Sequence, residues 1–200
     1  PNGAQIAFSA SRVPDATAAN TADIHVLTLS DNSVRAVVTQ PGPDNNPRWS
    51  PDGTQLVFTS AMGEIRANYF KNTRLAVVNE KGGAVRVIGA AVDEQPGLLE
   101  WGAKGVYFSA LQKTASHLFV ADPVTGAVTR VTGGDSAILS GFSLAEAKDR
   151  VAFVVASSAA LPEVAVAPLS SFSPRTLTTM SAQIREWKLG TREVVRWTSR

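Results

Sequence analysis

Short apolar runs alternate with turn residues along the whole chain, and the pattern repeats. The decapeptide at 51–60, PDGTQLVFTS, aligns without a gap on PNGAQIAFSA at 1–10. A third copy covers 101–110, and a more divergent fourth lies within 142–155. One phenylalanine takes the same place in each copy, at Phe8, Phe58, Phe108 and Phe153. The intervals of 50, 50 and 45 residues indicate a chain built from repeated units.

Each repeat is predicted to form four strands, here called a, b, c and d in chain order. The phenylalanine marks strand b, and strand a precedes it, as around Trp49. The runs are short, rich in β-branched residues and bounded by turn residues, which is typical of strands. Strand c is predicted at 24–29, 75–78, 118–121 and 164–167. Strand d is predicted at 34–39, 85–88, 128–132 and 176–178.

This repeat length and strand content predict an all-β fold, a β-propeller segment of about four four-stranded antiparallel blades. The first blade is predicted to lack strand a, because the chain begins at the a–b turn. No helix is predicted, since the helix-forming residues at 144–149 are too few to stand alone. The predicted repeats lie near 1–40, 41–90, 91–134 and 135–184, followed by an exit strand at 185–200.

Composition narrows the classes of function. Hydrophobic residues make up 44% of the 200 residues, which is enough for a buried core. The formal net charge is only +2, and basic residues near the C-terminus alternate with acids, so no nucleic-acid partner is predicted. The absence of cysteine excludes disulfides, thiolate metal sites and cysteine nucleophiles. No apolar run approaches the roughly 20 residues of a membrane-spanning helix, so no membrane partner is predicted.

The segment 46–60, NPRWSPDGTQLVFTS, closely resembles the repeat motif of Trp-Asp-like propellers, also called WD40-like. Such repeats occur in the prolyl oligopeptidase family of serine peptidases, especially its acylaminoacyl-peptidase branch, and in the periplasmic protein TolB. The C-terminal residues 192–200, REVVRWTSR, resemble the strand that leads out of the peptidase propeller. The second resemblance favours the peptidase over TolB.

The resemblance implies a function as well as a fold. Propellers of this family have about seven or eight blades, so these repeats would be the later part of a larger propeller. It implies a serine peptidase whose catalytic α/β-hydrolase domain is absent from this chain. The propeller would limit access to short peptides. The alternative is a TolB-like propeller that binds proteins and has no enzymatic activity.

No catalytic residue, cofactor site or metal site is predicted in this segment. The hydrolase motif Gly-x-Ser-x-Gly fails at its second glycine at both 134–138 and 141–145. His25 and His117 are interpreted as half-exposed strand residues, because their spacing fits no zinc motif. A catalytic triad that includes His25 and Asp23 is the less favoured alternative. The glycine pairs fit hairpins rather than a phosphate-binding loop.

Two polar segments between repeats are interpreted as solvated d–a loops. One is the carboxylate pair Asp93-Glu94, and the other is the segment 44–47 in the equivalent place one repeat earlier. The alternative for Asp93-Glu94 is a site for a cation or a substrate ammonium group. The recurrence of polar residues at the same place favours the structural interpretation.

The long b–c loops are the predicted contact surface. In a meander of antiparallel strands, the b–c and d–a connections leave the sheet at the same edge. The b–c loops are predicted at 11–22, 61–74 and 157–162. The loop at 61–74 carries the candidate contacts for a partner or a substrate, Arg66, Tyr69 and Phe70. The predicted partners are the hydrolase domain of the same parent protein, a peptide substrate and a second copy of the chain. Alternatively, Tyr69 and Phe70 only cap their own blade.

Overall fold

The structure, a computed structural model, describes residues 2–11, 13, 21–63, 71–134, 138–190 and 193–198. Four antiparallel sheets account for nearly all of its regular structure. In the first sheet the strand order is β1 (Gln5–Ala10), β2 (Asp23–Thr28) and β3 (Val34–Val38). In the second sheet the order is β4 (Asp44–Trp49), β5 (Gln55–Ser60), β6 (Arg74–Asn79) and β7 (Arg86–Ile88).

The remaining two sheets follow the same plan. The third contains, in order, β8 (Gly97–Gly102), β9 (Gly105–Gln112), β10 (Ala115–Ala121) and β11 (Val128–Arg130). The fourth contains β12 (Ile138–Leu144), β13 (Arg150–Ser157), β14 (Ala160–Pro168) and β15 (Arg175–Thr176). Each sheet is a meander in which neighbours in sequence are neighbours in space. The predicted a-b-c-d repeat is confirmed, including a first sheet of three strands.

The repeated phenylalanines occupy the same strand of each sheet. Phe8, Phe58, Phe108 and Phe153 lie on β1, β5, β9 and β13, which are the b strands. Phe58, Phe108 and Phe153 are at most 2% exposed, whereas Phe8 is partly buried. The repeat interpretation is therefore confirmed for strand position in all four sheets and for full burial in three.

The a–b turn shows how the repeated sequence produces a repeated geometry. Asp52 Oδ1 accepts a hydrogen bond from the Thr54 amide at 3.1 Å, and Gly53 follows with φ of 73°. In the first repeat, Asn2 Oδ1 accepts from the Ala4 amide at 3.1 Å, and Gly3 again has φ of 73°. A short polar side chain followed by a residue with positive φ is the standard chemistry of such turns. The hydrogen bonds from Ser50 and Thr54 also lower the pKa of Asp52.

The chain divides into two compact units. The first comprises residues 1–110 and 119–129, and the second comprises residues 111–118 and 130–200. Two apolar clusters form the core of the first unit. One joins β2 and β3 to one face of β5 and β6, and it includes Ile24 of β2 and Leu56 and Phe58 of β5. The other joins the opposite face of β5 and β6 to β8, β9 and β10.

The second unit has its own core around Phe153. This ring stacks on Phe172 at a centroid distance of 5.4 Å and lies 5.9 Å from Phe142. Val151, Ala165 and Ala167 are fully buried beside it on β13 and β14. Aromatic pairs at these separations add to the stabilisation that burial alone provides.

A 3-10 helix at Met180–Ile184 follows the fourth sheet and is tied to it by Glu163 of β14. The Glu163 carboxylate accepts hydrogen bonds from the amides of Met180 at 3.0 Å and Ser181 at 2.6 Å. It also accepts a short hydrogen bond from the Thr178 hydroxyl. These donors, with Thr178 first, lower the pKa of Glu163 from 4.5 to about 2.

Replacing Glu163 with glutamine is expected to lower the melting temperature at pH 7. The NH2 group of the glutamine would face the hydrogen-bond donors of Thr178, Met180 and Ser181, with which it cannot pair. Because the folded-state pKa is depressed, the stabilisation by Glu163 is complete above pH 4.5 and is lost as the pH falls towards about 2. The difference in melting temperature between wild type and Glu163→Gln should therefore shrink below pH 4.5. Thermal unfolding at pH 7, 4 and 3 measures it. Glu146→Gln, on an exposed turn of the same unit, is the control, and equal effects of both variants would contradict the role of Glu163.

Three segments differ from the sequence prediction. The predicted b–c loop at 157–162 is wrong, because β13 and β14 extend to a two-residue turn and Ser157 pairs with Ala160. The segment 44–47 is not a loop but the start of β4, where it pairs with the end of β5. The structure assigns no strand to 185–190 or 193–198, where the exit strand is predicted. Trp187 and Trp197 in these segments are 67% and 80% exposed.

None of the described residues belongs to a helix of the length and apolar character needed to cross a membrane.

Candidate functional site

The b–c and d–a connections of the second sheet meet at one edge of that sheet. Gln95, in the d–a connection, donates from Nε2 to Thr73 Oγ1 at 2.6 Å and accepts from the Thr73 amide at 3.1 Å. Arg74, the first residue of β6, contacts Asp93 Oδ1 through both terminal nitrogens at 3.3 Å. The predicted placement of these two connections on the same edge is therefore confirmed for this sheet.

A cleft of about 540 Å³ opens at this edge. Its described walls come from the end of β5 and the start of β6, together with the d–a connection. They are formed by Ala61, Met62, Gly63, Lys71, Asn72, Arg74 and Asp93. The volume lies in the range of small-ligand sites, and the walls are mostly polar. We call this feature the edge cleft.

Two cations and one carboxylate give the edge cleft a mixed charge. Arg74 and Asp93 form an ion pair, but the Asp93 side chain is 88% exposed. A pair so open to water contributes only about 0–1 kcal/mol to folding stability. Lys71 lies on the same wall. The Asp93 carboxylate is therefore accessible to a ligand, and replacing its contact with Arg74 costs little.

The wall at 61–63 is fixed by a tight turn. The Ala61 amide donates to the Pro43 carbonyl at 3.0 Å, and the Met62 amide donates to Ser60 Oγ at 2.9 Å. Met62 and Gly63 both have positive φ, at 51° and 82°. Glycine accepts this conformation without strain, whereas methionine does not. The turn thus holds Met62, which is 40% exposed, at the rim of the cleft.

A buried polar network lies behind this wall. Gln40 Nε2 donates to Asp44 Oδ1 at 3.0 Å and to Ser60 Oγ at 2.7 Å. Asp44 and Ser60 are fully buried, and Asp44 Oδ2 has no hydrogen-bond partner in the structure. Burial is the main cause that raises the pKa of Asp44, and the nearby charge of Asp23 adds to it. The network joins the start of β4 to the end of β5 and so supports the turn at 61–63.

The candidate contact residues Arg66, Tyr69 and Phe70 lie outside the residues that the structure describes. Their described neighbours in sequence, Gly63 and Lys71, both line the edge cleft. Sequence reasoning did not single out Lys71, Arg74 or Asp93 as parts of one site. Arg74 and Asp93 are 19 residues apart, so only their places at the start of a c strand and in a d–a connection could have suggested the contact.

Solved structures share the fold of this chain. TolB from Acinetobacter baumannii matches with a TM-score of 0.64 and 18% identity over 88% of this chain. Acylaminoacyl peptidase from Pyrococcus horikoshii matches with a TM-score of 0.65 and 16% identity over 92%. A structure from a study of two prolyl endopeptidases matches with a TM-score of 0.66 and 16% identity over 96%. The chain is a β-propeller segment.

The propeller segment spans less than half of each of these proteins. It covers 41% of the TolB chain, 27% of the acylaminoacyl peptidase chain and 28% of the prolyl endopeptidase chain. No protein-family model matches it, and no curated protein matches it by sequence. At these identities the likeness shows the propeller fold alone.

The two histidines of the propeller segment are buried, which corrects the prediction that they are half-exposed. His25 is 6% exposed, and its ring stacks on Phe8 at a centroid distance of 5.6 Å. Its Nδ1 lies 3.2 Å from the backbone carbonyl of Asp23 rather than from the carboxylate. His117 is 2% exposed, and its Nδ1 lies 2.9 Å from Thr132 Oγ1. Both rings are buried against partners from neighbouring strands or loops, Phe8 for His25 and Thr132 for His117, which the sequence alone could not identify.

Within the described ranges, no three histidine or carboxylate side chains are grouped closely enough to hold a metal ion. Asp93 is engaged with Arg74, and Asp44 is buried behind the turn at 61–63. The carboxylates singled out in the sequence therefore lie in two different environments. Of Asp44 and Asp93, the second is among the described lining residues of the edge cleft.

Proposed function

We propose that this chain is a non-catalytic propeller domain of a serine peptidase that resembles acylaminoacyl peptidase and prolyl oligopeptidase. The peptide bond would be cleaved by an α/β-hydrolase domain of the same parent protein, and the propeller would limit access to short peptides. The observation that carries the proposal is the fold match over 92% and 96% of this chain with two such peptidases. The WD40-like motif at 46–60 is consistent with it.

The edge cleft is the surface through which this propeller would meet a peptide or the hydrolase domain. A short peptide carries an ammonium group at one end and a carboxylate at the other. Asp93 offers a partner for the first, and Arg74 and Lys71 offer partners for the second. The segment with Arg66, Tyr69 and Phe70 joins Gly63 to Lys71 and so belongs to the proposed contact surface.

A second candidate function is a TolB-like propeller that binds proteins without catalysis. The fold match with TolB, which covers 41% of that chain, favours it. An open cleft with mixed charges and an exposed methionine also suits a protein surface. The chain would then need no hydrolase domain, and a second copy of itself would be one candidate partner.

Labelling with an activity-based fluorophosphonate separates the two functions. The reagent reacts with the activated serine of serine hydrolases. Under the peptidase proposal, the full-length protein should be labelled, and it should hydrolyse N-acetylated short peptides. A full-length protein that shows neither labelling nor hydrolysis would overturn the proposal and favour the TolB-like function.

Replacing Arg74 with alanine tests the edge cleft within the peptidase proposal. Loss of one exposed charge contact should lower kcat/KM for a short peptide by about threefold to tenfold. The control is Arg86→Ala, because Arg86 begins β7 at the opposite edge of the sheet and contacts the carbonyls of Pro123 and Val124. Arg86→Ala should leave kcat/KM unchanged. Equal kcat/KM for wild type and Arg74→Ala, with both folded by circular dichroism, would remove the cleft from the substrate route.

A further inference from the structure

A second cleft lies entirely within the second compact unit, at the tip of the hairpin between β9 and β10. Its volume is about 450 Å³, within the usual range for small-molecule sites. The hairpin turns at Lys113, which has positive φ of 58°. The described lining residues are Gln112, Lys113, Thr114, Ala115, Arg130, Val194 and Arg196. We call it the basic cleft.

The charged residues among the described lining of the basic cleft are all cationic. Lys113, Arg130 and Arg196 contribute three cations, and no acidic residue is among its described lining residues. Arg130 Nη1 donates to Gln112 Oε1 at 3.4 Å, which orients the guanidinium group along the wall. Like charges that converge on one concave surface repel each other, and an anion between them removes that repulsion. The basic cleft is therefore electrostatically complementary to a negatively charged ligand.

The uncharged lining residues of the basic cleft favour an organic anion as the ligand. Val194, which is 61% exposed, supplies apolar surface, and Thr114 and Gln112 supply a hydroxyl and an amide. An inorganic anion would use the cations but leave Val194 without a partner. A nucleic acid would need a longer basic stripe and aromatic stacking surfaces, and the described lining residues include neither. Arginine binds carboxylates through paired hydrogen bonds, so two arginines suit that group well.

We propose that the basic cleft binds a small organic carboxylate, such as the terminal carboxylate of a short peptide. Arg196 and Lys113 hold the carboxylate, Arg130 is oriented beside them by Gln112, and Val194 packs against the apolar part of the ligand. This proposal goes beyond the peptidase function. A small carboxylate would bind here whether or not a hydrolase domain is attached, because the described lining residues supply the cations without one.

Calorimetric titration of the full-length protein tests the proposal with matched ligands. The probes are N-acetyl-trialanine, the same peptide with a C-terminal amide, N-acetyl-Ala-Asp-Ala-amide, and sodium phosphate. We expect the free acid to bind at least about tenfold more tightly than its amide, a difference of about 1.4 kcal/mol. Binding of the aspartyl peptide would identify a side-chain carboxylate as an equivalent source of the group. If the free acid binds and the aspartyl peptide does not, the ligand group is the C-terminal carboxylate of a peptide.

Substitutions locate the binding to the cleft. Arg196→Ala should weaken binding of the free acid by about tenfold, and higher salt should weaken it further. Lys188→Ala, at an exposed position outside the lining, removes the same charge and should leave the affinity unchanged. Equal binding of acid and amide would overturn the proposal, as would phosphate binding as tightly as the acid. Equal losses in Arg196→Ala and Lys188→Ala would also overturn it, because they would indicate only a diffuse positive surface.

Discussion

Replacing Phe108 with alanine is expected to lower the free energy of unfolding by about 3–5 kcal/mol. Phe108 is 1% exposed and lies in the apolar cluster that joins the second and third sheets. Its ring stacks on Phe119 of the neighbouring strand at a centroid distance of 5.4 Å. Truncation would leave a cavity in the apolar layer between the two sheets. The sheet backbones on either side cannot move together to fill it. Urea-dependent unfolding followed by tryptophan fluorescence measures the loss.

The matched control is Phe8→Ala, at the equivalent position of the first repeat. Phe8 lies on the same kind of strand, but its side chain is only partly buried. Less apolar area is removed from water at Phe8, so its truncation should cost less than half as much. Equal losses at Phe8 and Phe108 would show that the two positions are packed alike. The difference in side-chain burial between Phe8 and Phe108 that the structure gives would then be contradicted.

The repeat made most of the fold predictable from sequence. The phenylalanines at fixed intervals identified the b strands, and the turns with Asn2-Gly3 and Asp52-Gly53 positioned the strands around them. These signals are local, since a turn of this kind depends on a few adjacent side chains. The prediction was wrong where composition was misleading. The serines, alanines and Pro162 at 157–162 suggested a loop, yet the segment extends two paired strands.

The candidate site was predictable only in part. The meander topology was enough to place the b–c and d–a connections at one edge, as the contacts of Thr73 and Arg74 with Gln95 and Asp93 confirm. The buried state of Asp44 was not predictable, because a polar segment between repeats has the composition of a solvated loop. In the fold, Asp44 accepts a hydrogen bond from Gln40, four residues earlier, and Gln40 also donates to Ser60 at the end of β5. The place of Ser60 depends on the pairing of β4 with β5, so the network leaves no local sequence pattern.

The polar network around Asp44 and the edge cleft have complementary roles in the proposed function. A binding surface needs groups that a ligand can reach and a support that keeps them in place. Asp93 is exposed, Arg74 is partly exposed, and the pair is weak, so both can exchange partners. The turn at 61–63 beside them is held by Ser60, which is itself buried and bonded to Gln40. The edge therefore combines adaptable charges with a fixed backbone.

Replacing Gly105 with alanine is expected to lower the free energy of unfolding by about 3 kcal/mol or more. Gly105 begins β9 with φ of 130°, a conformation that is essentially restricted to glycine. A Cβ atom there would lie 2.4 Å from the Ala121 carbonyl oxygen and 3.1 Å from Val120 Cγ2. The carbonyl belongs to the backbone of β10, so the clash can be relieved only if the two strands move apart.

Gly133→Ala is the control, because no described residue lies within 4 Å of a Cβ atom built at Gly133. Without a clash, alanine should be neutral or stabilise the protein by up to about 1 kcal/mol through the unfolded chain. Hydrogen exchange on the Gly105→Ala variant should also show faster exchange of amides in β9 and β10 than in β5 and β6. If Gly105→Ala unfolds at the same urea concentration as Gly133→Ala, the close approach of β9 to the Ala121 carbonyl is wrong, and so is the register of the third sheet that depends on it.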